Sequence, residues 1–318
     1  MSQSIIEKMN ALSDQLIESR KQLKPPANYP QRENISQFSE ALNGTLRITS
    51  QGAIDTLDVS TAPSGAMLVT TSNNEVKILD CNGALSQTLP IDKRVTLAKF
   101  APNSDIIAIF AFSKASSMEG NAVAQVWNLE SKQKLYEVTC HSDEISDVCF
   151  TPLQGLVAVS SHDGSWSMHD FANTKQLLQL REQAKISSLQ IHPDGLIMAI
   201  GLTNGKVLIY DIRDMIVAQE LEGVTTTAVS QLEFSNKGIF LAVSWVGADT
   251  CRVYSLHKGF SFAEIKQEDL PVTALAFDLY GGFLAVGTTQ NLTISSYKNW
   301  KKTLTVLKPF ESGVQTIR

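Results

Sequence analysis

The side chains able to do acid, base or nucleophilic chemistry are few in this chain, and they are widely spaced. His141, Asp147 and Ser160 are the residue types of a hydrolytic triad: an imidazole base, a carboxylate to orient it and a hydroxyl nucleophile. The same stretch supports a second account, in which His141, Ser160, Asp163 and His169 form a structural hydrogen-bonded set, each bond worth about 1 kcal/mol. Asp55, Asp58, Asp147 and Glu233 are the carboxylates that a hydrolytic or metal site would have to bring together. No G-x-G-x-x-G precedes a helix, and the chain has no P-loop, no H-E-x-x-H and no G-x-S-x-G elbow. Cys81, Cys140, Cys149 and Cys251 are scattered, with no pair at metal-ligand spacing. The structural account of His141 is therefore preferred, and neither a catalytic residue nor a cofactor or metal site is expected.

Those residues lie within a pattern that repeats six times: an apolar strand, a Pro or Gly turn, a second apolar strand, a polar turn, then a third strand. The last apolar residues of the first strands are Val59, Phe100, Phe150, Ile191, Phe234 and Phe277, spaced 41, 50, 41, 43 and 43 apart. A period near 42 residues is the length of one four-stranded propeller blade. The turns, such as Pro193-Asp194-Gly195 and Asn236-Lys237-Gly238, combine a preset φ with glycine's access to positive φ. Leu156 to Val159, Leu196 to Ile200 and Ile239 to Val243 are continuous apolar runs that suit strands buried on both faces. Third strands end in Trp127-Asn128, His169-Asp170 or Tyr210-Asp211, where a WD dipeptide would stand. The fold expected is an all-β, seven-bladed WD-repeat β-propeller over 44–318, its seventh blade incomplete, preceded by a helix and linker over 1–43. In that frame His141, Ser160, Asp163, His169, Trp127, Tyr210 and Asp211 are structural blade residues.

In the first segment Ile5, Met9, Leu12, Leu16 and Leu23 fall at heptad-like positions among charged residues, marking an amphipathic helix. It is either the tail of an oligomerising coiled coil or a linker helix lying on the propeller's edge. Pro25-Pro26 ends it, and Tyr29 to Asn43 is a polar connector. Leu46 to Ile48 is placed to form the outer strand of the last blade, and Val314 to Ile317 opens a seventh unit. On this reading the natural protein continues for about 30 residues beyond Arg318.

With 43% hydrophobic and 19% charged residues, 318 residues are ample for one propeller-sized domain. A net charge of −5 argues against direct nucleic-acid binding, which needs clustered Lys and Arg. No segment has the apolar core of a signal peptide or the length of a membrane span, and the cysteines read as reduced thiols of an intracellular protein. Lys298-Asn299-Trp300-Lys301-Lys302, the basic-aromatic cluster, reads as a solvated edge rather than an RNA platform.

Two departures from the repeat bear on partners. Ser113 to Asn121 lengthens one connection by nine residues. Trp245 stands in a turn where neighbouring blades carry polar residues, and an aromatic at a rim is a candidate hot spot. The partner-binding rim expected is Asn73, His162, Asp163, Asn204, Trp245 and Asp249.

His192-Pro193-Asp194-Gly195-Leu196-Ile197, Lys206 to Asp211, Leu232 to Gly238, and Gly282 to Val286 through Lys298-Asn299-Trp300 together resemble the C-terminal half of the pre-mRNA-processing factor nineteen family. Members of that family are U-box ubiquitin ligases and give the spliceosomal NineTeen complex its name. The resemblance implies a nuclear, non-catalytic recognition fragment that holds NineTeen-complex proteins and ubiquitination substrates. The family's E3 ligase activity resides in a U-box, and its oligomerisation in a coiled coil, both absent from these 318 residues. A WD-repeat adaptor of another complex and an enzymatic propeller are the alternatives.

Overall fold

The computed structural model describes residues 3–24 and 54–307, apart from 61, 63, 92, 103, 105–106, 114–120, 154, 298–299 and 301. Its described strands form six antiparallel four-stranded sheets, the blades of a β-propeller. Blade one is β1 (Ile54–Val59), β2 (Met67–Thr71), β3 (Val76–Leu79) and β4 (Leu85–Leu89). Blade two is β5 (Val95–Phe100), β6 (Ile107–Phe112), β7 (Ala122–Asn128) and β8 (Gln133–His141). Blade three is β9 (Ile145–Phe150), β10 (Leu156–Ser161), β11 (Ser165–Asp170) and β12 (Lys175–Arg181). Blade four is β13 (Ile186–Ile191), β14 (Ile197–Leu202), β15 (Val207–Asp211) and β16 (Ile216–Leu221). Blade five is β17 (Val229–Phe234), β18 (Phe240–Trp245), β19 (Thr250–Ser255) and β20 (Ser261–Lys266). Blade six is β21 (Val272–Phe277), β22 (Phe283–Thr288), β23 (Asn291–Ser296) and β24 (Lys302–Leu307).

Burial follows strand order. The apolar second strands are almost wholly enclosed, as in β10, where all six residues are buried. Fourth strands such as β12 and β16 are mostly exposed, which is why their apolar signal is weak in the sequence. The first strand carries a bulge near its start in blades one, two, three, five and six, at Ile54/Thr56, Val95/Leu97, Ile145/Asp147, Val229/Gln231 and Val272/Ala274. An extra residue recurring at one place in these five blades bends their sheets alike.

The chain divides into two compact units, Leu46–Leu189 and Met1–Thr45 with Gln190–Arg318. In the first, Ile109, Val126, Val148 and Val159 form a continuous core across blades two and three. In the second, Val207, Val243, Trp245 and Tyr254 do the same for blades four and five.

The six blades begin where the repeat predicts. The strands expected for a seventh, Leu46 to Ile48 and Val314 to Ile317, lie outside the described residues, as do the connector 29–43 and most of the Ser113 to Asn121 insertion. Helix α1 (Gln3–Gln22) encloses Met9 and Ser13, and its Arg20 guanidinium donates to the Pro193 carbonyl in the β13–β14 turn.

Candidate functional site

Blade three and the adjoining outer strand β8 hold a continuous polar network. The Ser165 hydroxyl donates to Asp163 Oδ1 at 2.5 Å, so its oxygen is left to accept from His141 Nδ1 at 2.9 Å. That places the His141 proton on Nδ1, and Nε2 must accept from the Ser167 hydroxyl at 2.7 Å. Ser167 in turn accepts from His169 Nε2 at 2.7 Å, and His169 Nδ1 accepts from the Tyr136 hydroxyl at 3.1 Å. The protons run one way, from Tyr136 to Asp163, and both imidazoles are satisfied in their neutral forms.

The electrostatics agree. Burial pushes His169 down to about 4, and a proton added to His141 would act the same way. Burial also lowers His141, although the Asp163 carboxylate 3.8 Å away opposes it. Burial works to raise Asp163, but hydrogen bonds from the Ser165 side chain and from the Ser142 and Ser165 backbone outweigh it and hold the carboxyl below its usual range. Cys140, 3.9 Å from His169, has its thiol raised by desolvation and is no activated nucleophile.

His141, Asp163 and His169 share this network, and Ser160 does not join them. Ser160 pairs across the sheet with Trp166, whereas Ser165, Ser167 and His169 alternate onto the opposite face of β11. Its hydroxyl bonds Ser146 at 3.0 Å instead. Ser165 and Ser167 are the members that sequence reasoning missed; their i, i+2 spacing before His169 was the available signal.

The triad reading fails on the same geometry. Asp147 Oδ2 accepts the Leu189 amide at 3.0 Å, while its Oδ1 meets Lys99 at 2.7 Å. Asp58 accepts the Phe100 amide at 2.7 Å, and Gln231 accepts the Leu275 amide at 2.8 Å. In all three cases a polar side chain on one blade's first strand clasps the backbone of the next blade's first strand. Glu233 is engaged as well. Among the described residues, no group of three or more His, Cys, Asp or Glu is placed to hold a metal ion.

The rim residues divide. Asn73 and Asn204 are exposed, and His162, Asp163 and Asp249 are partly so. The Thr250 hydroxyl at 2.9 Å and Lys266 hold the Asp249 carboxyl below its usual range, although burial opposes them. Trp245 is the correction: it is fully enclosed, and its indole N–H donates to the Gly205 carbonyl at 2.7 Å. Its large ring fills the core beside β14 and β17, so it offers no surface to a partner.

Among the blade residues, Trp127 is half-buried with its N–H on Gln125 at 3.0 Å, and Tyr210 is buried. Asp211 pairs with Arg213 at 2.6 Å. Trp300, from the basic-aromatic cluster, packs edge-on against Phe240 at 5.0 Å and Phe277 at 6.2 Å, so it is an anchor between blades five and six rather than a stacking platform. Lys298, Asn299 and Lys301 lie outside the described residues. No described helix is long and apolar enough to cross a membrane.

Comparison with known proteins adds family to geometry. The β-propeller family described as Nucleolar protein 10-like, N-terminal domain matches residues 44–297. Pre-mRNA-processing factor 19 of Oryza sativa subsp. japonica is 26% identical over 296 residues, covering 89% of this chain and 53% of its own length. Pre-mRNA-processing factor 19 homolog 2 of Arabidopsis thaliana is 24% identical over 318 residues, covering 96% and 58%. The Dictyostelium discoideum Pre-mRNA-processing factor 19 is 22% identical over 316 residues, covering 95% and 59%. Protein NEDD1 of Bos taurus is 27% identical over 108 residues, 33% of this chain and 16% of its own length. The chain therefore spans between half and three fifths of the factor 19 relatives it matches, and their name is the one that the blade sequences pointed to.

Proposed function

The chain belongs to the family of Nucleolar protein 10-like N-terminal β-propeller domains, and from that premise we propose that it is a protein-interaction scaffold of pre-mRNA splicing. In this reading it is the partner- and substrate-recognition part of a spliceosome-associated U-box ubiquitin ligase. The observation that carries it is homology to Pre-mRNA-processing factor 19 along almost the entire chain, rather than over one repeat. The polar chemistry supports it too, because His141, His169, Asp58 and Asp147 are spent on bonds within and between blades.

The mechanism is rigid display. Each blade fixes its turns at the strand ends, so a partner segment meets preformed contacts and loses less ordering entropy on binding. Asn73, His162, Asp163, Asn204 and Asp249 are the turn residues offered, without Trp245. Partners are NineTeen-complex proteins and ubiquitination substrates in the nucleus. Ubiquitin transfer belongs to a U-box, and oligomerisation to a coiled coil, on the rest of the protein. A seventh blade completes the propeller.

The test is to purify complexes of the 318-residue chain from nuclear extract and identify the bound proteins by mass spectrometry. Splicing factors are expected to dominate, and their absence would overturn the splicing assignment. Recovery of a different complex would favour a second reading, a WD-repeat adaptor of another assembly, which the similarity to Protein NEDD1 supports over one third of the chain. Substituting Asn73, His162, Asn204 and Asp249 together, with Asp163 left in place because it anchors the blade-three network, is expected to weaken capture with the fold intact; unchanged capture would remove them from the interface.

A further inference from the structure

Blades five and six share a groove of about 720 Å³ at the strand ends that carry the β17–β18, β19–β20 and β21–β22 turns. The turns of Asn204 and Asp249 follow second strands, so they lie at the opposite ends of the strands in their blades. Phe240, Phe262, Tyr280, Tyr297 and Trp300 line the groove. Phe262 is 51% and Tyr297 42% exposed. So much apolar surface left in water at one place is the mark of a binding site.

The polar lining has one sign. Lys237 and Lys258 border the groove beside His257, and among the described residues no Asp or Glu does, in a chain whose net charge is −5. Neither lysine has an ion pair among the described residues. A nucleic acid is disfavoured by the ring geometry, since stacking needs open aromatic faces. Phe240 and Trp300 close on each other edge to face at 5.0 Å, and the Arg252 guanidinium lies 4.3 Å over the Phe262 ring. What remains open is edges and side pockets ringed by positive charge, which suits an aliphatic or aromatic side chain flanked by carboxylates.

We infer that this groove docks an acidic peptide segment of a partner protein, one apolar side chain seated among Phe240, Phe262 and Tyr297 and its flanking carboxylates on Lys237 and Lys258. The inference deepens the scaffold reading and rests on it.

The test uses the 318-residue chain and a fluorescein-labelled short peptide carrying Phe and Leu among Asp and Glu, read by anisotropy. The peptide is expected to bind, more weakly as salt rises, whereas the same peptide with Lys in place of every acid does not. The Lys237→Glu/Lys258→Glu protein is expected to lose about tenfold or more in affinity, about 1.4 kcal/mol, and Phe262→Ser to lose a similar amount. Both substitutions fall on exposed or half-exposed side chains, and an unchanged melting temperature certifies the fold. No binding by the wild-type chain, equal binding by the charge-reversed variant, or displacement of the peptide by a polyuridine oligonucleotide would each overturn the groove. Nuclear-extract capture separates the two claims: splicing factors retained equally by both variants would sink the groove while leaving the scaffold reading intact.

Discussion

His169 shows how a residue's neighbours, rather than its type, decide what it does. Two histidines, a tyrosine and a cysteine within hydrogen-bonding reach resemble a reactive centre in composition, yet every proton among them is committed along one line ending at Asp163. The line has a pH signature. His169 is lowered from 6.5 to about 4, so the unfolded chain takes up its proton first as acid is added. Its contribution is fully present above about 6.5 and is lost as pH falls toward about 4, a change of about 3 kcal/mol. Urea midpoints measured from pH 7 to 4.5 should fall less steeply for His169→Gln than for the wild type; parallel profiles would mean that the ring is charged in the folded state. Ser167→Ala should be costlier than its size suggests, about 3 kcal/mol, because two buried imidazole nitrogens lose their partner at once. A loss below 0.5 kcal/mol would show that the network is not continuous.

Elements explain why some of this was legible and some was not. The second strands were readable because burial on both faces writes an uninterrupted apolar run, as in Leu156 to Val159. Ser160 was misplaced because a strand's faces alternate with period two: Val159 stands opposite Ser167 and Ser160 opposite Trp166. The turns between second and third strands carry their own constraint. Gly205 has φ +89, its carbonyl holds Trp245, and an added Cβ would stand 2.2 Å from the Thr225 carbonyl. Gly205→Ala should therefore destabilise by about 1–3 kcal/mol, measured by denaturant unfolding; a neutral result would mean that the turn has another conformation. Helix α1 is tethered where Arg20 meets Pro193, with Asp194 and its His192 partner, 2.7 Å apart, beneath it. Arg20→Glu should set that carboxylate against a like charge and speed amide exchange in α1, with the melting of the blades unchanged.

At the scale of the whole molecule, the four cysteines form no disulfide and sit at graded depths. Cys81 is exposed, Cys140 and Cys149 are half-buried, and Cys251 is fully enclosed with its thiol pushed up to about 12. Alkylation should therefore modify Cys81 first and Cys251 only at the rate of global unfolding, and reductant should leave the melting temperature unchanged. Fast labelling of Cys251 would show that blade five opens on its own.

The period of the repeats, the turn chemistry, the apolar second strands and the family all lay in the sequence, because each is a local pattern copied from blade to blade. Tertiary structure decided the rest. It seated Trp245 under Gly205 rather than at the rim, put Ser165 and Ser167 between the two histidines, and laid α1 against the β13–β14 turn. It also gathered Lys237, Lys258, Phe262, Tyr280 and Tyr297 from separate turns into one groove. Each of these depends on which face a side chain takes after a bulge and on which distant turn packs beside it, and no spacing along the chain encodes either.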